Sequence, residues 1–369
     1  MRILVWPELF HPHIGGIEVR SGELVAELCR RGHECTVITS RIPETLPIAD
    51  TWHSAPVHRL QFRRAIATGD LRELQQALAT IRAVKATFQP DVELVFVSGP
   101  LIALQRIASR QAPRPTIASL QGRIEEYTTP GGAVRQHLKS CELIVTVSHF
   151  LHQAVCREMP ELAPKTIPLL NSLPVSGVPP LPLPQDPPII MTLGRLIADK
   201  GFDLALRAMQ QVHEKHPAAK MIVAGDGPER QPLEAVTSEL GLIDCVHFTG
   251  WIPPAEVPDF LNRASVVVMP SRWEEAFGLV SLQAAQMGRP VVGTRVGALP
   301  EIVVHGKTGL LADKKDFTGL AEALDQLLSC PALMQEMGDQ ARARALTDFS
   351  FERYVTLYEE LFDRAIRSA

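Results

Sequence analysis

The chain contains no apolar run approaching the roughly 18–20 residues that a helix needs to cross a bilayer, so no segment is a transmembrane candidate. Its six cysteines, at 29, 35, 141, 156, 245 and 330, include no C-x-x-C pair, and several fall inside apolar runs. That spacing argues against a zinc site or a disulfide framework and fits buried free thiols in a reducing cytoplasm. Excess charge of either sign is lacking too: 37 basic against 41 acidic residues leave −4, which removes the general electrostatic basis for nucleic-acid binding. The N-terminal MRILVWPELF has one arginine and too short an apolar run for a signal peptide, and it reads as a first strand. That strand leads into PELFHPHIGG, not G-x-G-x-x-G, which disfavours a nicotinamide dehydrogenase. What is present is a 369-residue chain, 46% hydrophobic and 21% charged, enough for about two globular domains.

Strand-like and helix-like segments alternate through the first half. ILVW (3–6) leads through Gly15-Gly16 to an amphipathic run in which Leu24, Val25 and Leu28 share a face and Gly32 is a stop. CTVITS (35–40), VELVFVS (92–98), TIASL (116–120) and LIVTVS (143–148) are further strands. Near-continuous apolar strands between helices predict an α/β fold with a parallel sheet covered on both faces. The segment 174–188 then carries seven prolines in fifteen residues and reads as a semi-rigid linker. Alternation resumes with IIMTLG, KMIVAG, CVHFTG, SVVVMP and PVVGT. The division is therefore 1–173, linker 174–188, 189–349, and a last helix, 350–369, with one apolar face at 351, 355, 358, 362 and 366. Two doubly wound, Rossmann-like domains on a hinge would face a cleft, with ligands beyond the carboxyl ends of the strands.

Residues at those ends carry the chemistry. In GRLIADKG (194–201), Arg195 follows a strand and Lys200 precedes a helix start, two cations suited to a diphosphate or, more plainly, to solvent. GDGP (225–228) places Gly225 and Gly227 in a tight turn ahead of a helix. PSRWEEAFGLVSLQAAQMG (270–288) puts Ser271, Glu274 and Glu275 after a strand. Gly278 there admits a close ligand, and the amides of Phe277 to Val280 can point at an anion. A carboxylate beside phosphate is repelled, so Glu275 suits the hydroxyls of a sugar. Glu275 and Gln283 lie on one side of a helix, or bracket an extended ligand if 275 precedes it.

The order GRLIADKG, GDGP, PSRWEEAFG and GRPVVGT (288–294) resembles the retaining glycosyltransferases of family 4, also called group 1, most specifically from 189 to 312. Gly15-Gly16, LIVTVSHFL (143–151) and Asn171 match less specifically. The resemblance implies the GT-B fold, with the last helix returning to the first domain. It implies a donor site in which Gly194, Arg195, Lys200, Gly225, Gly227 and Ser271 are joined by Glu275, Ala276, Phe277, Gly278, Leu279 and Gln283, with Gly15 and Gly16 under the diphosphate. Catalytic roles fall to Arg195, Lys200, Glu275 and Gln121. The expected co-substrate is a UDP-, GDP- or ADP-linked sugar. The reaction is retaining, with the leaving phosphate helping to deprotonate the acceptor. No cofactor or metal is expected, in keeping with the absence of any D-x-D. The acceptor is a carbohydrate or a lipid-linked molecule of cell-envelope polysaccharide or glycolipid synthesis, at the cytoplasmic membrane face. The four arginines of 58–75 are a candidate lipid contact or a solvated face.

Two positions depart from the family pattern. Gln283 stands where a second glutamate is usual and exchanges a charge-assisted bond to a ribose diol for a neutral one. Gln121 stands where a histidine is usual, and His11 and His13 beside the N-terminal loop are the remaining histidine candidates, more often bystanders. A non-catalytic sugar-nucleotide binder or assembly subunit, and a sugar-nucleotide epimerase of the same fold, are the competing readings.

Overall fold

The structure, a computed structural model, describes residues 1–63, 70–129 and 132–369. The chain forms two compact units: Met1–Asn171 with Phe351–Ala369, and Ser172–Ser350.

Among the described residues the first unit is built on eight strands: β1 (Arg2–Trp6), β2 (Glu34–Ser40), β3 (Ala49–Trp52), β4 (Ala55–Leu60), β5 (Val92–Val97), β6 (Thr116–Leu120), β7 (Leu143–Thr146) and β8 (Thr166–Pro168). Their order is β3-β4-β2-β1-β5-β6-β7-β8, parallel except for the β3/β4 pair. The five strands expected from apolar runs are the inner ones. The hairpin and β8 carry no such run. ADTW is largely exposed and TIP spans only three residues, so their pairing is set by the neighbouring strand. The sheet order reverses between β1 and β5, which marks this unit's switch point.

The helix Phe351–Ser368 completes the first unit's core. Val355, Tyr358, Phe362 and Ala365 are buried against Ile3, Val5, Phe96 and Ile117. Its polar side is fastened as well. Arg31, just past the helix Gly16–Arg30, donates to Glu27 at 2.9 Å and to Glu359 at 2.7 Å, and His33 Nε2 lies 2.8 Å from Glu359.

The second unit has six parallel strands: β9 (Ile189–Leu193), β10 (Lys220–Ala224), β11 (Val246–Gly250), β12 (Val266–Met269), β13 (Val291–Thr294) and β14 (Gly309–Ala312). They run in the order β11-β10-β9-β12-β13-β14. Apolar clusters fill both faces, as continuous strands such as VVVM require. The proline-rich segment is not free-standing. Its amide-poor backbone leaves carbonyls over, and second-unit side chains take them: Asn262 Nδ2 donates to Pro179 O (2.9 Å), Arg289 Nη2 to Leu181 O (2.8 Å) and Ser265 Oγ to Pro184 O (2.5 Å). Arg289 is itself buried, and burial pulls its guanidinium down to about 10.

All six cysteines are free thiols. Cys35, Cys141 and Cys245 are buried as expected, whereas Cys330, at the junction of two surface helices, is exposed.

The hydrogen bond from Arg30, opposed by burial and aided by Arg31, holds the Glu27 carboxyl down to about 2. A depressed carboxyl stabilises the fold above its unfolded value, ordinarily near 4.5, and loses that contribution as pH falls toward 2. Glu27→Gln is therefore expected to lower the urea midpoint at pH 7 and to approach the wild type as pH falls from 4.5 to 2; a pH-independent difference would rule out this account.

Candidate functional site

In the second unit the switch point lies between β9 and β12, where the sheet order reverses. The loops leaving these two strands, 194–201 and 270–278, hold most of the residues singled out from sequence. They are pinned together. Arg272 N donates to Asp199 O at 2.9 Å, and the Arg272 guanidinium grips both oxygens of Asp203, one at 2.6 Å. Neither Arg272 nor Asp203 stands out in sequence, because both look like ordinary surface charges.

Glu275 is at the centre, with its side chain 6% exposed. Its Oε1 accepts from Lys200 Nζ and from Ser271 Oγ, both at 2.6 Å. Lys200 also lies 5.4 Å from the Trp273 ring centroid, a cation–π contact. Lys200 and Glu275, which sequence reasoning gave to separate parts of a ligand, are thus one ion pair. Ser271 is buried and spends its hydroxyl on Glu275. The backbone of Glu275 is fixed by the loop after β13: its carbonyl accepts from Ala298 N at 2.8 Å. A Cβ on Gly297 (φ 52°) would fall 2.2 Å from that carbonyl oxygen, so only glycine passes there.

Glu274 does a different job from its neighbour. It accepts from Gly297 N (2.6 Å) and pairs with Lys314 (2.9 Å) on the exposed side. Burial alone would raise its carboxyl, but Lys314 and the Gly297 amide outweigh that and hold it below the usual range.

Glu275 precedes the helix Leu279–Gln286, whose N-cap is Gly278 at φ 107°. Ser281 N and Leu282 N donate to Gly278 O, at 3.0 and 3.4 Å, and the two amides ahead of them, Leu279 and Val280, remain for a ligand. Gln283 is one turn into that helix and half-buried. Ala276 is buried, and the Phe277 ring packs edge-on against Phe349 at 5.9 Å, so only their backbone is offered to a ligand. Arg195 is exposed after β9 and has no carboxylate partner among the described residues. Gly225 and Gly227 are there for loop packing. A Cβ on Gly225 would lie 1.8 Å from Gly194 O, and one on Gly227 would lie 2.4 Å from Leu196 O.

In the first unit, Gly15 is the N-cap of the helix Gly16–Arg30 and has the Glu18 carboxylate folded over it, where a Cβ would meet it at 2.3 Å. Gln121 follows β6 and is bonded at both ends. Its Oε1 accepts from the buried Arg20, and its Nε2 donates to Ser119 Oγ (2.5 Å), which in turn contacts Tyr358 OH at 3.1 Å. His11 packs on Trp52 with ring centroids 4.3 Å apart, and His13 Nε2 bonds Ile42 O, so both serve local structure. Glu8 went unnoticed in the sequence. It is buried two residues past β1, accepting from Ser40 Oγ (2.8 Å), Leu101 N (2.8 Å) and Arg63 Nη2 (2.7 Å). Its only signal was an acid just after a strand. The stretch 58–75 is described except for 64–69, so Arg64 lies outside the described residues.

A parallel sheet with cations, free helix amides and a buried acid at its switch point is a Rossmann-like ligand-binding architecture. Residues 178–344 match the family model described as glycosyl transferases group 1, and residues 15–158 match a glycosyl transferase 4-like domain. The chain belongs to the group 1 glycosyltransferases and has the GT-B fold. It is 27% identical over 93% of its length to the GDP-mannose-dependent alpha-(1-6)-phosphatidylinositol monomannoside mannosyltransferase of Mycolicibacterium smegmatis, of which it also covers 93%. It is 37% identical to the D-inositol 3-phosphate glycosyltransferase of Corynebacterium jeikeium over 49% of this chain and 45% of that protein. Its fold is similar to that of sucrose-phosphate synthase from Thermosynechococcus elongatus (TM-score 0.85, 20% identity, 100% of both chains). It is similar also to Anabaena HepE in complex with UDP-glucose (TM-score 0.78, 20% identity, 99% of this chain and 100% of that one).

Lys200→Met strips the counter-charge from a buried carboxylate and is expected to destabilise the second unit by about 3–5 kcal/mol in urea unfolding. Glu275→Gln in that background should recover most of the loss, and strict additivity of the two would show that the pair is not coupled.

Proposed function

We propose that this glycosyltransferase takes a sugar from a nucleotide-diphosphate-sugar and places it on an acceptor hydroxyl with retention of anomeric configuration and no metal ion. The observation that carries this reading is the state of Glu275: Oε1 is committed to Lys200 and Ser271, while Oε2 has no protein partner among the described residues beside the helix start at Gly278. A carboxylate oxygen left open in this way accepts from sugar hydroxyls. Lys200 stands between that acid and a diphosphate, with ammonium protons left for phosphate oxygens, and Arg195 brings a planar fork of donors. Together with the Leu279 and Val280 amides they neutralise the charge that grows on the leaving diphosphate, the task a metal performs elsewhere.

In this mechanism the acceptor oxygen bonds to the anomeric carbon on the face from which the sugar–phosphate bond breaks. The departing phosphate oxygen receives the acceptor proton, so no protein carboxylate acts as a nucleophile. Gln283 binds the ribose diol through one acceptor and one donor. The acceptor is a carbohydrate or a lipid-linked molecule, and the setting is the cytoplasmic face of a membrane. The mycobacterial relative, named for a GDP-sugar donor and a phosphatidylinositol glycolipid, supports that choice. A UDP-, GDP- or ADP-linked sugar fits the phosphate-facing groups equally, since none of them reads the base. A second reading, a non-catalytic sugar-nucleotide binder, is favoured by one observation: both ends of the Gln121 amide are already bonded inside the first unit.

A thermal-shift series with UDP, GDP and ADP and their sugar conjugates tests the donor site. One nucleotide at about a hundred times its dissociation constant should add roughly 2.7 kcal/mol, unchanged by EDTA. No shift with any of them would overturn the donor assignment, and a shift without slow hydrolysis or transfer would favour the non-catalytic reading. Arg195→Ala should weaken the nucleoside diphosphate itself. Glu275→Ala should retain nucleotide binding but lose turnover. Gln283→Glu should tighten the nucleotide by about 1 kcal/mol, roughly fivefold, by restoring a charge-assisted bond.

A further inference from the structure

Arg20, on the helix Gly16–Arg30 of the first unit, is a cation buried to 1% exposure. A guanidinium keeps its proton, so burying it is costly unless an anion offsets it. No carboxylate among the described residues is within ion-pair distance. Its surroundings are neutral: the Gln121 amide, which accepts from Nη2, the Phe96 ring, with its centroid 5.7 Å away, and the Tyr354 hydroxyl. Nε has no partner among the described residues. Burial, and then Tyr358, push the Tyr354 hydroxyl well above the usual phenol range against the pull of Arg20, so no tyrosinate supplies the missing anion.

Arginine only donates, so it fixes the sense of the Gln121 amide. Oε1 is turned to Arg20, and Nε2 donates to Ser119 Oγ at 2.5 Å. The reversed amide would set NH2 against the guanidinium, donor on donor, out of reach of water. The rest of the residue is held too. Ser119 Oγ contacts Tyr358 OH at 3.1 Å, and Tyr127 OH accepts from Gln121 N (3.1 Å) and Gly122 N (2.5 Å). An amide nitrogen carries two protons, and Ser119 takes one. The half-buried Gln121 keeps the other at the carboxyl end of β6, where sheets of this kind bind ligands. The buried charge behind Oε1 polarises the amide and strengthens that donor.

We propose that Arg20 is a positioning residue for the transfer reaction: it sets the Gln121 amide so that position 121 donates a hydrogen bond to a hydroxyl oxygen of the sugar substrate and cannot take up a proton. The inference rests on the glycosyl-transfer reading and gives a task to a buried cation that this reading leaves unused. It also gives the two bonds of the Gln121 amide a purpose other than lost function. They orient the group, and one donor stays free. An amide does not titrate near neutral pH, so position 121 acts as a donor and never as a general base.

The test is hydrolysis of GDP-mannose, UDP-glucose and ADP-glucose by the full chain, with kcat and KM measured on the one that the wild type hydrolyses fastest. Gln121→Glu keeps the shape, gains an ion pair with Arg20 and loses both N–H donors. Its circular dichroism melt should stay at or above the wild-type value while kcat falls about tenfold, the order of one hydrogen bond, at an unchanged KM. Arg20→Met should lower kcat similarly, because an amide freed of the guanidinium adopts both senses. Arg20→Lys, which keeps a buried donor, should recover most of that loss. Wild-type kcat in Gln121→Glu or in folded Arg20→Met, or a raised KM at unchanged kcat, would overturn the positioning role alone. If Arg20→Met does not fold, Gln121→Glu and Arg20→Lys decide. A wild type that hydrolyses none of the three sugars would overturn the positioning role together with the glycosyl-transfer reading.

Discussion

Partnering one carboxylate that lies nearly out of water is the constraint around which the second unit is arranged. An isolated buried carboxylate would neutralise itself by taking up a proton. Glu275 is instead given a cation, a hydroxyl and an immobile backbone, each from a different strand-end loop. Arg272 and Asp203 then hold those loops against each other, and Gly225 and Gly297 let the main chains approach where a side chain would part them.

This arrangement changes how the two acids in the loop are read. In sequence Glu274 and Glu275 are equivalent neighbours. In space one is an exposed fastener for the 295–298 loop and the other the buried centre of the site. Adjacent residues in a loop point in different directions, and no periodicity rule assigns those directions in advance. The same holds for Ser271 and Lys200: their residue types announced polar chemistry, but that they would converge on a single oxygen depends on the tertiary approach of two loops far apart in the chain.

The repeating elements were much more legible. Continuous apolar strands such as VVVM and LIVT can lie only inside a covered parallel sheet, and five of the first unit's strands and five of the second's follow from such runs. What sequence did not disclose were elements held by neighbours rather than by their own pattern: the polar hairpin β3/β4, the three-residue β8 and the late β14. The prolines of 174–188 were legible as a break in regular structure. Their docking on the second unit was not, because it relies on Asn262, Ser265 and the buried Arg289 far along the chain. In the first unit, Gln121 was visible as a departure from the family pattern, whereas the buried Arg20 that holds it looked like one more polar position on an amphipathic helix.

The return of the helix Phe351–Ser368 to the first unit has a bearing on how the protein is made. Its buried face supplies Val355, Tyr358 and Phe362 to a core whose other members lie mostly within the first 171 residues. During synthesis the second unit, contiguous in sequence, emerges whole and can close while the first is still missing one wall. The usual amino-to-carboxyl order of domain folding is thereby inverted: the unit begun first is finished last. Until then its apolar sheet face is open, and the ribosome-bound chain at that stage is the natural client of a chaperone.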